Sequence, residues 1–208
     1  MTYVPRAFHV EELSARQDLI TANNFGMLIV AGVEGLRVSH LPFLLDRDRG
    51  TLGHLRCHVA KANPIWCEIE AAKLLVVFSG PHAYISPDWY ANPSLVPTWN
   101  YTAAYVHGQA REMTDDELDT LLADLTVAEE SRITNKTPWS VDAVPAETYE
   151  QMHRAIVGLD IAITAIDGKA KMSQNRGADD RDGVIEALQG LGTPDAKAVA
   201  GLIEAYNS

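Results

Sequence analysis

The stretch FGMLIVAGVEGLRVSHLPFLLD, residues 25–46, decides the fold. Residues 25–31 form an apolar run, residues 32–35 supply a turn, and residues 36–46 continue as a second, mostly apolar segment. Two such segments joined by a glycine-containing turn are typical of a β-hairpin. Pro42 indicates a bulge or an edge position in the second strand, because proline has no N–H to donate to a neighbouring strand.

Outside this hairpin, the chain consists of further short apolar segments with few helices between them. Strands are predicted over residues 51–59, 73–79, 83–86, 97–112 and 157–163. Helices are predicted over residues 10–21, 64–72, 114–125, 147–154, 178–189 and 194–206. This order favours an antiparallel meander closed into a barrel, mainly β with peripheral helices (α+β), over a doubly wound sheet. We expect one domain over residues 1–208, with C-terminal helices from about residue 178 to 208.

The charge of the chain argues against direct DNA binding. It has 17 basic and 28 acidic residues, a formal net charge of −11, and no basic run. A protein that binds nucleic acid needs a basic patch or stripe, because neutralising phosphates supplies most of the affinity.

The cysteine content and the apolar segments are typical of a cytoplasmic protein. The two cysteines, Cys57 and Cys67, are too few for a disulfide framework, so we expect free thiols in a reducing compartment. The first residues, MTYVPR, lack the apolar core of a signal peptide. The chain also lacks a run of about 18 apolar residues, the length that spans a bilayer.

Two segments are rich in groups that bind anions. KMSQNR, residues 171–176, places Lys171 and Arg176 beside amide side chains that could match a heterocycle. In HVAKANP, residues 58–64, Lys61 stands two residues before Asn63, the predicted N-cap of a helix. The N-terminus of a helix favours an anion, and a nearby lysine strengthens such a site. The alternatives are a solvated loop for the first segment and an ordinary capped helix for the second.

Three further segments could border a planar ligand. His40 and Ser39 lie on opposite faces of the second hairpin strand, and a lone strand histidine is more often a hydrogen-bonded core residue. The segments 80–90 and 96–101 bring aromatic residues together with Thr98 and Asn100, which suits either the wall of a cofactor site or a core and dimer interface. No zinc motif or common catalytic motif occurs, so we expect no metal site.

Taken in order, these strings resemble the FMN-binding negative transcriptional regulator family, the PaiB-like proteins. The most specific are residues 81–87 (PHAYISP), 97–101 (PTWNY) and 171–176, supported by residues 3–8, 39–42 and 53–64. The resemblance covers roughly residues 1–188. It implies an antiparallel FMN-binding split β-barrel like that of pyridoxamine-phosphate oxidases, and a homodimer with FMN at the subunit interface.

The resemblance also implies a set of FMN-contacting residues. His58, Lys61 and Asn63 are expected near the phosphate, with Ser39 and His40 on the adjoining strand. The expected neighbours of the ring or ribityl chain are Tyr84, Ser86, Thr98, Trp99 and Asn100. Lys171, Gln174, Asn175 and Arg176 would approach from the C-terminal side, from the same subunit or its partner.

Three functions are compatible with these features. The family implies a flavin-binding regulator of transcription, whose effect on DNA would be indirect or limited to a small basic surface. An FMN-dependent oxidoreductase is the first alternative, because the flavin itself carries the redox chemistry. Haem binding or degradation is the second alternative, since related split barrels host it.

Overall fold

The computed structural model describes residues 2–92 and 94–207. The strands are β1 (Phe25–Gly32), β2 (Gly35–Pro42), β3 (Leu44–Asp46), β4 (His54–Ala60), β5 (Lys73–Ile85), β6 (Thr98–Glu112) and β7 (Ile156–Lys171). The helices are α1 (Leu13–Ala22), α2 (Asp115–Glu130), α3 (Ala146–His153), α4 (Ala178–Leu191) and α5 (Pro194–Asn207). Single 3₁₀ turns are formed by Arg6–Phe8, Pro64–Trp66, Pro87–Trp89 and Val141–Ala143. None of the helices in the described ranges is long and apolar enough to cross a membrane.

The seven strands form one sheet in the order β2-β1-β5-β6-β7-β4-β3. The hairpin predicted from residues 25–46 is confirmed, since β1 pairs antiparallel with β2 from Phe25↔Pro42 to Gly32↔Gly35. Gly35 closes its turn at φ +118°, a conformation that favours glycine. The antiparallel pairs β1–β5, β3–β4 and β4–β7 confirm the predicted sheet type.

The chain divides into two compact units. The barrel unit comprises residues 24–77 and 106–166, and the terminal unit comprises residues 1–23, 78–105 and 167–208. In the terminal unit, α4 and α5 pack through Val184, Leu188, Val199 and Ile203. That core also contains Met172, which follows β7.

A corner at Pro42 closes the sheet within the barrel unit. Only Phe43 separates β2 from β3, yet these strands lie at opposite ends of the sheet order. The chain therefore leaves β1 at Pro42 and joins β4 two residues later, and β2 itself contacts β4. The Phe43 N–H donates to the carbonyl of Asn24 at 2.9 Å, and the Phe43 ring is buried. Pro42 thus stands at the end of an edge strand, as its missing N–H requires.

The structure corrects two of the predicted elements. The helix predicted over residues 64–72 is a single turn, Pro64–Trp66, followed by tight turns whose i to i−3 hydrogen bonds include Ile69 N–H to Trp66 O at 3.2 Å. These turns bury Ile65 and Ile69. The break predicted at Gly80 is also wrong, because β5 runs through it. A Cβ at residue 80 would lie 2.1 Å from Thr102 Oγ1, so this glycine allows close packing.

The helix predictions after residue 112 hold well. The capping box is confirmed, because Thr114 Oγ1 accepts from Glu117 N–H at 3.3 Å and Glu117 Oε2 accepts from Thr114 N–H at 3.0 Å. Helix α4 begins at the predicted residue, Ala178, and runs to Leu191, two residues past the predicted end at residue 189, with Gly192 as its C-cap at φ +71°. By contrast, β7 extends eight residues past the predicted end at residue 163, to Lys171.

A buried carboxylate organises the charges of the barrel unit. Asp160 on β7 is 3% exposed and contacts three cationic groups. Arg49 donates at 2.9 Å, Arg111 donates at 2.9 Å, and His54 Nδ1 lies 3.1 Å away. Burial alone would raise the pKa of Asp160, but the hydrogen bonds from Arg49 and His54 and their positive charges outweigh it, so the pKa is lowered.

We expect Asp160→Asn to lower the free energy of unfolding by about 1.5–3 kcal/mol at pH 7, the usual worth of hydrogen bonds to a charged group. Because the folded-state pKa of Asp160 is lowered, its contribution is present above the unfolded pKa of about 3.9 and is lost as the pH falls below it. Urea unfolding at pH 7 and pH 3 measures this difference, with Asp48→Asn, an exposed position, as the control. Equal losses for both variants would contradict the assignment.

Candidate functional site

Three cations meet at the end of β7 in the terminal unit: Lys169, Lys171 and Arg176, here called the basic cluster. Each lies against an aromatic ring. Lys169 Nζ is 5.0 Å from the centre of the Tyr101 ring, Lys171 Nζ is 5.9 Å from Phe8, and the Arg176 guanidinium is 5.3 Å from Tyr90. Within residues 2–92 and 94–207, no carboxylate forms an ion pair with these three cations.

The positive charges of the basic cluster act on one another. Burial lowers the pKa of Lys171, and the positive charges of Lys169 and Arg176 lower it further. Lys169 is itself 8% exposed, and a charged ammonium is rarely buried unless it has a partner. Like charges held close together in a chain of net charge −11 indicate a site for an anionic ligand.

The loop that follows β7 holds the cluster in place. Ser173 is buried and has φ 59°, which makes it the only residue other than glycine with a positive φ in the described parts of the chain. Such a conformation costs on the order of 1–3 kcal/mol and is often found at functional sites. Gln174 stabilises the loop, because its Oε1 accepts from Met172 N–H at 2.7 Å and its Nε2 donates to Ala170 O at 2.6 Å. Both polar groups of Gln174 are therefore used within the loop, while Asn175 is exposed.

Strand β6 supplies polar groups to the same place. Lys171 Nζ donates to Thr98 Oγ1, and Asn100 Nδ2 donates to Ser173 Oγ at 2.9 Å. Asn100 is fully buried, and its Oδ1 has no hydrogen-bond partner. A buried acceptor without a partner costs about 1–3 kcal/mol, which is another sign of a ligand-facing group.

An exposed aromatic surface lies on β5 and β6 of the same unit. The Trp99 side chain is 53% exposed and the Tyr84 side chain 46%, with ring centres 5.9 Å apart in an edge-on arrangement. His82 lies 6.1 Å from Trp99. Trp99 is therefore not a core residue. Ser86, by contrast, caps the Pro87–Trp89 turn by accepting from Asp88 N–H at 3.3 Å.

The remaining predicted residues lie in the barrel unit. Asn63 links two of them, because its Nδ2 donates to Ser39 Oγ at 2.8 Å while its Oδ1 caps the Pro64–Trp66 turn. The exposed His40 ring stacks on Phe25 at 6.2 Å. Lys61 is exposed, and the helix predicted after it is only one turn long. The helix-dipole argument for an anion at Lys61 therefore fails.

The surroundings of His58 differ from those of the exposed Lys61. Its ring lines a largely apolar cavity between β4, α2 and α3, and burial lowers the pKa of the imidazole. An apolar lining of this kind is unfavourable for a phosphate group.

Sequence reasoning missed Lys169, Ser173 and Tyr101 as site residues. Lys169 and Lys171 alternate with Ala170, and two lysines spaced two apart on a strand indicate a shared charged face. The predicted strand ends at residue 163 and so leaves both lysines outside it. The positive φ of Ser173 has no sequence signature, since glycine or asparagine is the usual residue there.

Comparisons with known proteins identify the family of the chain. The family model described as "Putative FMN-binding domain" matches residues 2–165. The chain belongs to this FMN-binding family. A relative from Bacillus subtilis, "Protease synthase and sporulation protein PAI 2", is 34% identical over 97% of this chain and 96% of its own length, which confirms the PaiB-like assignment. FMN is therefore the cofactor of this family member.

Solved structures with the same fold include flavin proteins. The flavocytochrome Anf3 from Azotobacter vinelandii has a TM-score of 0.56 at 14% identity, covering 81% of this chain and 72% of its own. A FAD and heme binding protein from Mycobacterium smegmatis has a TM-score of 0.56 at 15% identity, covering 78% and 73%. At these identities the likeness concerns the fold, and together with the closed antiparallel sheet it confirms the split β-barrel class.

We expect Gln174→Leu, which keeps the side-chain size, to lower the free energy of unfolding of this FMN-binding protein by about 1–3 kcal/mol, because two hydrogen bonds of the loop are lost. Thermal unfolding measures the change. Gln189→Leu, at an exposed position of α4, is the matched control and should have little effect. If both substitutions behave alike, the loop does not depend on Gln174.

Proposed function

We propose that this protein is a cytoplasmic homodimer that binds the FMN phosphate at the basic cluster and acts as a flavin-responsive regulator. The observation that carries the proposal is the set of three cations, Lys169, Lys171 and Arg176, which lack a carboxylate partner in the described chain. Burial lowers the pKa of Lys171, and the charges of Lys169 and Arg176 lower it further. A phosphate dianion supplies the missing negative charge.

The residues around the cluster fit the rest of the phosphate ester. Ser173 and Thr98 offer hydroxyl groups, and the unpartnered Asn100 Oδ1 can accept from a hydroxyl of a ribityl chain. The loop is strained at Ser173 and is held by the two hydrogen bonds of Gln174, so these groups are fixed before the ligand binds. Little conformational entropy is therefore lost on binding.

The exposed aromatic surface supports a place for the ring system. Tyr84 and Trp99 present large apolar faces beside polar strand residues, which is the usual lining for a planar ligand. A homodimer would cover the same surface, since tryptophan and tyrosine are enriched at interfaces. When bound, FMN supplies the redox chemistry, and the protein positions it and excludes water.

Lys171→Met tests the phosphate assignment. We expect FMN affinity to fall about 10–100-fold, the equivalent of one charge-assisted hydrogen bond. The FMN-free variant should be at least as stable as the wild type at pH 7. The folded-state pKa of Lys171 is lowered, so its charged form disfavours folding at every pH below that pKa.

Fluorescence quenching of FMN and a thermal melt provide the two measurements. Lys197→Met, at an exposed position of α5, is the control for loss of a lysine. Lys61→Met tests the other candidate, because Lys61 was predicted from the sequence to lie near the phosphate. A large loss of affinity in Lys61→Met with none in Lys171→Met would move the phosphate to the barrel unit.

The regulatory role rests on the family and on the charge. The B. subtilis relative is named as a protease synthase and sporulation protein, and a net charge of −11 disfavours direct contact with DNA. We therefore expect no promoter-length DNA to be shifted at physiological salt by the protein alone, with or without FMN. A shift that weakens steeply with salt would instead show direct binding.

Two alternative functions can be tested on the same purified protein. Oxidation of NAD(P)H that requires added FMN would favour an oxidoreductase. The solved structures of similar fold include a flavocytochrome and a FAD and heme binding protein, so haem is the second alternative. A Soret band in the visible spectrum of the purified protein would favour haem, whereas flavin absorption alone would favour the proposed function.

A further inference from the structure

The apolar cavity beside His58 lies in the barrel unit, and its lining contains none of the residues of the basic cluster. It has a volume of about 360 Å³ and is bordered by β4, α2, α3 and the segment around Trp139. Most of its wall is apolar, including Leu122, Val144 and Ile156. This volume and lining are typical of small-molecule sites. Among the described residues that line it, none is lysine or arginine.

Two histidines, His58 and His153, line this cavity. His58 Nδ1 and His153 Nε2 are both buried without a hydrogen bond. Asp119 Oδ1 lies 3.2 Å from His153 Nε2, but the approach does not have hydrogen-bond geometry. That carboxylate accepts instead from Tyr149 O–H at 2.6 Å, which raises the pKa of Tyr149 to about 12. The polar side chains on this mostly apolar wall are few, among them His58 and His153, which suits a ligand that carries a single polar group.

Apolar side chains at the rim are exposed although they border the cavity. Trp139 is 46% exposed, Met152 64% and Val141 39%. A ring that entered the cavity would cover part of this surface, which would be favourable in proportion to the apolar area removed from water.

The protonation of His58 decides which polar group fits. Burial lowers the pKa of His58, so its ring is neutral at pH 7 and does not call for a negative charge. The nitrogen of a neutral imidazole is a donor or an acceptor according to its tautomer. A hydroxyl group satisfies either tautomer, because it both donates and accepts.

We propose that this cavity binds a small, uncharged hydroxylated aromatic compound, with its ring against the apolar wall and its hydroxyl hydrogen-bonded to the His58 ring. His153 offers a second polar contact from α3. The cavity shares no lining residue with the basic cluster, so it is a second candidate site, for a substrate or an effector. His58 is thereby assigned to this cavity and not to the FMN phosphate.

The test uses 2-naphthol as a fluorescent probe of the full-length protein, and naphthalene as the same ring without a hydroxyl. We expect saturable one-to-one binding of 2-naphthol and about tenfold weaker binding of naphthalene. His58→Phe should weaken 2-naphthol about tenfold and reduce the difference between the two probes. His107→Phe, a histidine outside the cavity lining, is the matched control.

A second pair of variants on α2 tests the location. Ala123→Trp should fill the cavity and abolish binding, whereas Val127→Trp, four residues along and 70% exposed, should not. Circular dichroism confirms that both variants are folded. The proposal is overturned if 2-naphthol does not bind, if Ala123→Trp and His58→Phe leave its affinity unchanged, or if FMN competes for the same site. Failure of 2-naphthol to bind does not bear on the phosphate assignment, which Lys171→Met tests separately, whereas competition by FMN would place the flavin at this cavity.

Discussion

Mutual repulsion among Lys169, Lys171 and Arg176 is the constraint on which the account of this protein depends. Three positive charges are held together at the end of β7, and the loop that follows keeps them there at the cost of a left-handed Ser173. Such an arrangement disfavours the charged form of Lys171, whose pKa is lowered by burial and further by the charges of Lys169 and Arg176. An anion would relieve this repulsion, and because the chain belongs to an FMN-binding family we propose that the anion is the cofactor phosphate.

The closed sheet explains how a short sequence can carry two distinct sites. The corner at Pro42 and Phe43 lets one continuous segment pair with β1 and then with β4, which closes the barrel unit without a long connection. The outward face of β4 is then available for α2 and α3, which form the cavity at His58. The charged cluster instead lies in the terminal unit, where α4 and α5 pack against the chain that follows β7. The two candidate sites therefore have different chemical surroundings, mostly apolar in the barrel unit and cationic in the terminal unit.

Local sequence patterns predicted the features that depend on near neighbours. The hairpin of residues 25–46, the capping box at Thr114 and the start of α4 at Ala178 all depend on residues a few positions apart, and all are confirmed. The features that were missed depend on contacts between distant segments. Gly80 looked like a breaker because its packing partner, Thr102, lies on another strand. The cavity beside His58 could not be predicted either, because its other walls come from α2 and α3, about 60 to 100 residues later in the chain.

The most direct test of the central claim is the ratio of the dissociation constants for riboflavin and FMN, measured by flavin fluorescence on the wild type and on Lys171→Met. The two ligands differ only in the phosphate, so the ratio isolates the contribution of that group. The account predicts that the wild type prefers FMN strongly and that the substitution removes most of this preference while riboflavin binding stays nearly constant. A preference for FMN that survives unchanged in Lys171→Met would contradict it.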